Sequence, residues 1–409
     1  MADGVLCAVQ GAAEAVVVQA VDASGRLTVV RRCADVVELL AAAEAGLGRL
    51  AVVSADLEHL DREVVAALHR GGVRVVCLAD QTRPWLVDRV AACGADLVLP
   101  PPGDAAGARD VVERATALLD AAVPDHLPGW VTGPPPEALA RRGRLVAVWG
   151  PQGAPGRTTI AVNLAAELAA LGRSTLLVDA DTYGGAVAQV VGLLDEAPGL
   201  AAAARAAGQG NLDLTTLARL APTASEGLRV LSGVSRPDRW PELGGAALDA
   251  VWAVARSLAS WTVVDTGFCL EQDEALSYDT RAPQRNAATL SALGAADVVV
   301  AVGAGDPVGV ARLVRGLSDL AALALDAPPI VVVNRVRATV AGPDPRRAVA
   351  TALARYAGVG EVLVVPDDRA ACDAALLAGR TLRECAAGST ARKAVCALAA
   401  RLAATVPVA

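Results

Sequence analysis

The chain has 409 residues, of which 54% are hydrophobic and 20% charged, and its net charge is −7. This length accommodates two or more domains with full cores, and the composition is typical of α/β layers packed through small side chains. The negative charge and the lack of a Lys/Arg block disfavour strong DNA affinity, and no apolar run reaches the ~18 residues of a membrane helix. Because Met1–Val9 also lacks the basic start of a signal peptide, we expect a cytoplasmic protein.

The N-terminal third alternates short Val/Leu runs with helical patterns, which predicts a parallel sheet with helices on both faces. We assign residues 1–122 to this first doubly wound α/β domain. The predicted strands are Val5–Val9, Leu27–Arg31, Leu50–Val53, Val73–Leu78 and Leu97–Leu99, and the predicted helices are Asp35–Ala45, Asp61–His69, Pro84–Cys93 and Ala106–Leu119.

A stretch rich in Pro and Gly follows at residues 123–143, including Pro134-Pro135-Pro136. Such a composition predicts a stiff linker. We therefore place the domain boundary here and assign residues 144–409 to a second domain.

The second domain starts with an apolar run, Val146–Trp149, and a Gly/Pro loop, after which Gly156-Arg157-Thr158-Thr159 opens a helical pattern. This layout is typical of a loop that cradles phosphate with backbone amides at a helix start. Pro151 and Arg157 depart from the G-x-x-x-x-G-K-[ST] pattern, and an ordinary Gly/Pro turn is the alternative. The pattern favours nucleotide binding over turnover, because an Arg fork need not reach between the phosphates as Lys does.

Acidic residues end two later apolar runs. Asp179-Ala180-Asp181 follows Ser174–Val178, and Asp265 follows Trp261–Val264. The carboxyl ends of parallel strands are where α/β sheets bind ligands, and an acid there beside a phosphate loop suits Mg²⁺. Further strands at Val298–Val302, Ile330–Val333 and Glu361–Val365 predict a second mostly parallel, doubly wound sheet.

The order of the following motifs resembles that of the MinD/ParA-type deviant P-loop ATPases: the loop, Asp179-Ala180-Asp181, Asp265-Thr266-Gly267, Asn334-Arg335 and Val365-Pro366-Asp367-Asp368. The resemblance covers roughly residues 145–402. It implies an ATP/ADP site with Mg²⁺ and dimerisation through a nucleotide-sandwich face.

The first domain resembles a response-regulator receiver, because Gly94-Ala95-Asp96 precedes its last strand. The functional residues of that family are missing: Ser54 stands in place of the phosphoacceptor Asp, Pro101 stands in place of the Lys, and Asp56 is poorly placed to substitute. We predict a pseudo-receiver for docking or dimerisation. A pseudo-receiver before a MinD/ParA-like domain resembles the CpaE/TadZ branch of pilus-assembly and polar-localisation factors.

The resemblance assigns roles by position. Thr158 would bind Mg²⁺, Asp265 would support the metal, Asp181 would orient the attacking water and Asn334 would read the adenine edge. The residues alone leave other roles open, since Asp179 or Asp367 can cap a helix and Asn334-Arg335 can close a turn. The implied cofactor-binding set is Gln152, Gly153, Ala154, Pro155, Gly156, Arg157, Thr158, Thr159, Asn334, Arg335, Pro366, Asp367 and Asp368, with Thr158, Asp181 and Asp265 at the metal and Asp181 with Arg157 as the catalytic pair.

Departures from the family predict slow or absent hydrolysis. The signature Lys of the family is Gln152 here, and the second loop Gly is Ala154. Gln152 and Arg157 each stand where the family has a Lys, so two ammonium groups are missing from around the transferring phosphoryl. We therefore expect a nucleotide-binding spatial organiser of pilus or secretion machinery, at a cell pole or septum, that acts with protein partners. A scaffold with a vestigial site is the alternative, as is a DNA-partitioning ATPase, which the charge disfavours.

Three further features carry predictions. Residues 268–286 form a polar segment in which Arg281 or Arg285 could complete the site, with a solvated loop as the alternative. The helical pattern Thr390–Val406 is expected to pack on its domain, which leaves membrane contact at most peripheral. The eight cysteines lack C-x-x-C spacing and are expected to be buried free thiols rather than metal ligands or disulfides: Cys7, Cys33, Cys77, Cys93, Cys269, Cys372, Cys385 and Cys396.

Overall fold

The computed structural model describes residues 2–121, 142–153, 155–193, 198–272, 283–326 and 329–404. These residues form two compact units, one composed mainly of the N-terminal third and one of the chain from residue 142 onward. Both are α/β folds built on mostly parallel sheets, as the sequence predicts. Most of the predicted linker lies outside the described residues.

The first unit has a five-stranded parallel sheet in the order β2-β1-β3-β4-β5. This order is that of flavodoxin-like doubly wound folds, so it is consistent with a receiver-like domain. All five predicted strands are confirmed, with bounds that differ by no more than a few residues. They are β1 (Asp3–Ala8), β2 (Leu27–Arg32), β3 (Leu50–Ser54), β4 (Arg74–Leu78) and β5 (Leu97–Leu99).

Helices cover both faces of this sheet, and one of them was not predicted. Ala12–Ala23 is helical although Val16-Val17-Val18 is a β-branched run of the kind that favours strands. It also starts after Gly11 without a side-chain cap, so the sequence offers no start signal, and the burial of Val17 and Val21 decides its conformation. The helices are α1 (Ala12–Ala23), α2 (Val36–Glu44), α3 (Arg62–Arg70), α4 (Pro84–Ala92) and α5 (Ala105–Asp120).

The second unit has an eight-stranded sheet in the order β13-β12-β11-β6-β10-β7-β9-β8, in which only the β8–β9 pair is antiparallel. Strands β8 and β9 were not predicted, because they span three and four residues and are too short to show an alternating pattern. The strands are β6 (Arg144–Trp149), β7 (Thr175–Ala180), β8 (Thr223–Ser225), β9 (Leu228–Leu231), β10 (Trp261–Thr266), β11 (Val298–Ala304), β12 (Ile330–Val336) and β13 (Val362–Pro366).

The helix that follows β6 is the central helix of this unit, and every residue from Ile160 to Ala169 is buried. The described helices are α6 (Arg157–Ala170), α7 (Val187–Val190), α8 (Gly199–Gly208), α9 (Leu214–Leu220), a 3-10 helix (Pro237–Glu242), α10 (Gly245–Leu258), α11 (Ala287–Gly294), α12 (Pro307–Ala322), α13 (Ala338–Ala341), α14 (Pro345–Ala357), α15 (Arg369–Ala378), α16 (Leu382–Cys385) and α17 (Thr390–Ala404).

The last helix packs against α6, as predicted, and buries Val395, Leu398 and Leu402. Beside this apolar contact, the buried carboxylate of Glu167 accepts hydrogen bonds from Arg392 at 2.7 Å and Arg383 at 3.4 Å. None of the helices in the described part of the chain is long and apolar enough to cross a membrane.

All eight cysteines are free thiols, but the prediction that they are buried is wrong for Cys385. Cys385 is exposed because it ends the single-turn helix α16 at the surface. Cys269, Cys372 and Cys396 are half-buried, while Cys7, Cys33, Cys77 and Cys93 are buried. Burial raises the pKa of Cys77 to about 12 and that of Cys33 to about 11, which keeps both thiols protonated at neutral pH.

Candidate functional site

The loop between β6 and α6 has the backbone that an anion site needs. Gly153 and Gly156 adopt φ values of 115° and 95°, a region that glycine enters without steric cost. Gly156 supplies no side-chain cap to α6, and the first turn contains no acid. The N–H groups of this helix start are therefore available to an anion, which the helix dipole also favours.

Thr158 and Asp265 join the helix start to the end of β10. The Thr158 hydroxyl donates a hydrogen bond to Asp265 Oδ2 at 2.6 Å, and Asp265 is fully buried. Burial and the negative charge of Asp179, its register partner on β7, raise the pKa of Asp265 well above its ordinary value. Because Asp265 Oδ1 has no hydrogen-bond partner among the described residues, this carboxylate has an oxygen free for a cation.

The donor set suits Mg²⁺ held jointly with phosphate oxygens. Within the described ranges, no cluster of three or more His, Cys, Asp or Glu side chains could hold a metal alone. Mg²⁺ is usually bound by one or two carboxylates together with water and substrate phosphates. The Thr158 hydroxyl and the free oxygen of Asp265 fit that pattern, beside the loop.

The predicted catalytic pair, Arg157 and Asp181, is in direct contact. Arg157 Nη2 lies 3.1 Å from Asp181 Oδ2, and Arg157 Nη1 donates to the Gly150 carbonyl at 3.0 Å. Asp181 Oδ1 accepts from the backbone N–H groups of Tyr183 at 2.9 Å and Gly184 at 3.3 Å. Both carboxylate oxygens of Asp181 are thus engaged, although the sequence placed this side chain on an attacking water.

Asp179 shapes the turn that carries Asp181. Its carboxylate accepts from the backbone N–H of Asp181 at 3.1 Å and from that of Val187, the first residue of α7, at 3.0 Å. A helix cap is one of the roles that the sequence allows for Asp179. The bond from Val187 agrees with that role, because it satisfies an N–H group at the start of α7. Burial raises the pKa of Asp179 to about 6. Glycine at 185 leaves room for the carboxylate, since a Cβ there would lie 2.7 Å from Asp179 Oδ1.

Asn334 lies inside β12, not after the strand as predicted, and it contacts the loop. Its Nδ2 donates to the Pro155 carbonyl at 2.9 Å, and a Cβ on Gly156 would overlap the same amide. Arg335 follows with a φ of 57° at an irregularity in the pairing of β12 with β13. The structure shows Asn334 bracing the loop, and adenine recognition by Asn334 stays a prediction.

A cavity of about 250 Å³ lies beside the loop and contains the other predicted nucleoside residues. The role of helix cap, left open for Asp367, belongs instead to Asp368, which caps α15 through Ala371 and also accepts from Ser389 at 2.7 Å. Asp367 lies 3.7 Å from Arg337 and 3.8 Å from Arg369. Among the lining residues are Thr159, Asn334, Arg335, Pro366, Asp367 and Asp368.

Of the predicted loop residues, Gln152, Gly153 and Pro155 line a second, smaller cavity of about 50 Å³ with Asp306 and Arg312 of the β11–α12 region. Ala154 lies outside the described residues. Sequence reasoning missed Asp306 and Arg312. The signal was available, because the β11 run ends in a Gly/Asp/Pro helix start that lies at the same edge of a parallel sheet as the loop.

Sequence reasoning also missed the surroundings of Tyr183. The Arg285 guanidinium lies 4.4 Å from the centre of the Tyr183 ring and donates to the Thr182 carbonyl at 3.3 Å. Tyr183 donates to Asn286 Oδ1 at 2.8 Å. Arg285 therefore stabilises the turn that follows Asp181 and is not a freely solvated side chain, whereas Arg281 lies outside the described residues.

Comparisons with known proteins agree with this geometry. A family model described as the CobQ/CobB/MinD/ParA nucleotide binding domain matches residues 146–377. No curated protein matches the chain.

Solved structures resemble this chain at low sequence identity. A ParA family ATPase from Chlorobium tepidum is 18% identical with a TM-score of 0.50, and the alignment covers 63% of this chain and 98% of that one. A Cyanothece McdA variant in complex with ATP is 16% identical with a TM-score of 0.50, over 66% and 99% of the two chains. The Pyrococcus horikoshii septum site-determining protein MinD, complexed with Mg-ADP, is 19% identical with a TM-score of 0.46, over 64% and 96%.

Proposed function

Since the chain belongs to the CobQ/CobB/MinD/ParA nucleotide binding family, we propose that its second unit binds ATP or ADP with Mg²⁺ at the loop between β6 and α6. One observation carries the proposal. The Thr158 hydroxyl bonds the buried Asp265 at 2.6 Å at an uncapped helix start, and the other oxygen of Asp265 is without a partner among the described residues. A buried carboxylate oxygen without a hydrogen-bond partner is stabilised when a cation binds to it.

Different groups of the site bind the phosphates and the nucleoside. The N–H groups at the start of α6 bind phosphate, and the 250 Å³ cavity holds the nucleoside against Pro366 and Asp367. Thr158 and Asp265 hold Mg²⁺, which neutralises phosphate charge when bound. The ATP in the Cyanothece McdA complex supports this choice of ligand at the level of the shared fold.

Hydrolysis is slow or absent in this proposal. Asp181 would need a free oxygen to orient an attacking water, and both of its oxygens are bonded, one of them to Arg157. Arg157 in turn is bonded to Gly150, and its Nε is buried without a partner in the described part of the chain. Nucleotide binding, more than nucleotide hydrolysis, therefore controls the state of the protein.

The biological role follows from the two units together. We propose a homodimer that localises pilus or secretion machinery of the Tad/Flp type, as in the CpaE/TadZ branch, through protein partners. The first unit supports a docking role without phosphorylation: Ser54 stands at the end of β3, is buried, and accepts a hydrogen bond from the Gln10 N–H at 2.8 Å. Asp56 is exposed.

Calorimetric titration with ATP and ADP, each with and without Mg²⁺, tests the proposal. Wild type should bind both nucleotides more tightly with Mg²⁺, and Asp265→Asn should lose that dependence. Asp319→Asn, which removes an exposed carboxylate of α12, is the matched control and should behave as wild type. The absence of binding would leave a scaffold with a vestigial site, and fast phosphate release would overturn the proposed switch. A DNA gel shift at low salt should show no complex.

A further inference from the structure

Arg312 packs onto the phosphate loop from helix α12. A Cβ added at Gly153 would overlap the Arg312 guanidinium, so the guanidinium lies directly against the loop backbone. The φ of 115° at Gly153 is in the region that favours glycine. Backbone and guanidinium thus meet at the start of the loop, beside the small cavity lined by Gln152 and Asp306.

Arg312 is a cation beside the loop that has no polar partner among the described residues. Arg157 is bonded to Asp181 and Gly150, whereas Arg312 is exposed and makes no hydrogen bond or ion pair with any residue in the ranges described above. The nearby carboxylate of Asp306 accepts from the Gly309 N–H at 2.9 Å, as the cap of α12. The guanidinium therefore keeps its full set of donors for a ligand.

The two cavities are lined by different residues of the loop region. The larger cavity includes Thr159 of the first turn of α6, and the smaller includes Gln152, Gly153 and Pro155 of the loop. A nucleotide whose nucleoside occupies the larger cavity and whose phosphates follow the loop brings its last phosphates toward Gly153. That is the end at which Arg312 lies.

We infer that Arg312 binds the terminal phosphate of the nucleotide and so sets a preference of this site for a nucleoside triphosphate. The inference rests on the proposed function of the loop and deepens it. A guanidinium presents two parallel donors that match two phosphate oxygens. A monophosphate does not extend to this end of the loop, so Arg312 contributes to the affinity for ATP and not to that for AMP.

Calorimetric titration of the full chain with Mg-ATP and with AMP, for wild type and Arg312→Ala, tests this inference. Arg312→Ala should weaken Mg-ATP binding about tenfold or more and leave AMP binding unchanged. Arg312→Lys should restore part of the ATP affinity. Arg315→Ala removes an exposed Arg from the same helix, lies outside both cavity linings, and should match wild type for both ligands.

The outcomes separate this inference from the proposed function. If wild type binds neither ligand, the proposed function fails and the inference fails with it. If wild type binds ATP and Arg312→Ala binds it equally well, or loses ATP and AMP affinity in equal proportion, only the role of Arg312 is overturned. Equal thermal midpoints of the variants without ligand exclude a folding defect as the cause.

Discussion

The guanidinium of Arg157 and the carboxylate of Asp181 form an ion pair at 3.1 Å, with side chains only 11% and 8% exposed. The pair joins the first residue of α6 to the turn after β7. Asp181 is the residue that the family resemblance implies for orienting water, and Arg157 stands where the family has its loop Lys. The ion pair engages both side chains. This contact is the structural basis on which we expect slow hydrolysis.

Replacing Arg157 with Lys should raise the rate of phosphate release. The shorter, single-point ammonium does not maintain a fork across Asp181 and Gly150 together, so one oxygen of Asp181 is freed. A phosphate-release assay with Mg-ATP at saturation measures the effect. Arg315→Lys makes the same chemical change elsewhere and should leave the rate unaltered, and a rate for Arg157→Lys at or below wild type would refute the locked-pair explanation.

Replacing Thr158 with Ala should remove most of the Mg²⁺ dependence of ATP binding. The variant loses the hydroxyl that bonds Asp265 at 2.6 Å and thereby one ligand of the expected metal site. The ratio of ATP affinities with Mg²⁺ and with EDTA should fall by about tenfold. Thr215→Ala, at an exposed position on α9, should keep the wild-type ratio. An unchanged ratio in Thr158→Ala would place Mg²⁺ elsewhere.

Replacing Asp96 with Asn should destabilise the first unit in a pH-dependent way. Burial alone would raise the pKa of Asp96, but hydrogen bonds from His69, Val75 and Arg74 outweigh it and hold the pKa below its ordinary value. A lowered folded-state pKa stabilises the fold above the unfolded pKa of about 4, and this stabilisation is lost as the pH falls through the folded value.

Thermal unfolding of Asp96→Asn should therefore show a loss of about 2 kcal/mol at pH 7 that shrinks below pH ~4. Asp88→Asn, at an exposed position on α4, is the control and should show little change at either pH. A loss for Asp96→Asn that is constant with pH would mean that the charge of Asp96 contributes nothing.

Replacing Arg392 with Met should destabilise the second unit. Glu167 has a side chain only 3% exposed and takes its closest contact from Arg392, so the variant leaves a buried carboxylate with the more distant Arg383 as its remaining charged partner. We expect a loss of about 3 kcal/mol in chemical denaturation. The double variant Glu167→Gln, Arg392→Met should recover part of it, because no buried charge then lacks a partner. Additive losses would contradict this account.

The sequence predicted the sheets better than the contacts between side chains. Apolar runs such as Leu50–Ser54 are buried throughout and reveal strands directly, whereas Ala12–Ala23 was missed because its Val run favours a strand and only tertiary packing makes it a helix. The approach of Thr158 to Asp265 follows from the parallel sheet. The bonds from Arg157 to Gly150 and from Asn334 to Pro155 do not, because they depend on side-chain torsions and on loop backbone that no periodic pattern encodes.

A structure determined with Mg²⁺ and a non-hydrolysable ATP analogue tests the central claim most directly. We predict phosphates on the N–H groups at the start of α6, the metal beside Thr158 and the free oxygen of Asp265, and the nucleoside in the cavity next to Pro366. A nucleotide bound away from this loop, or a loop that stays empty at saturating ligand with Thr158 still bonded to Asp265, would contradict it.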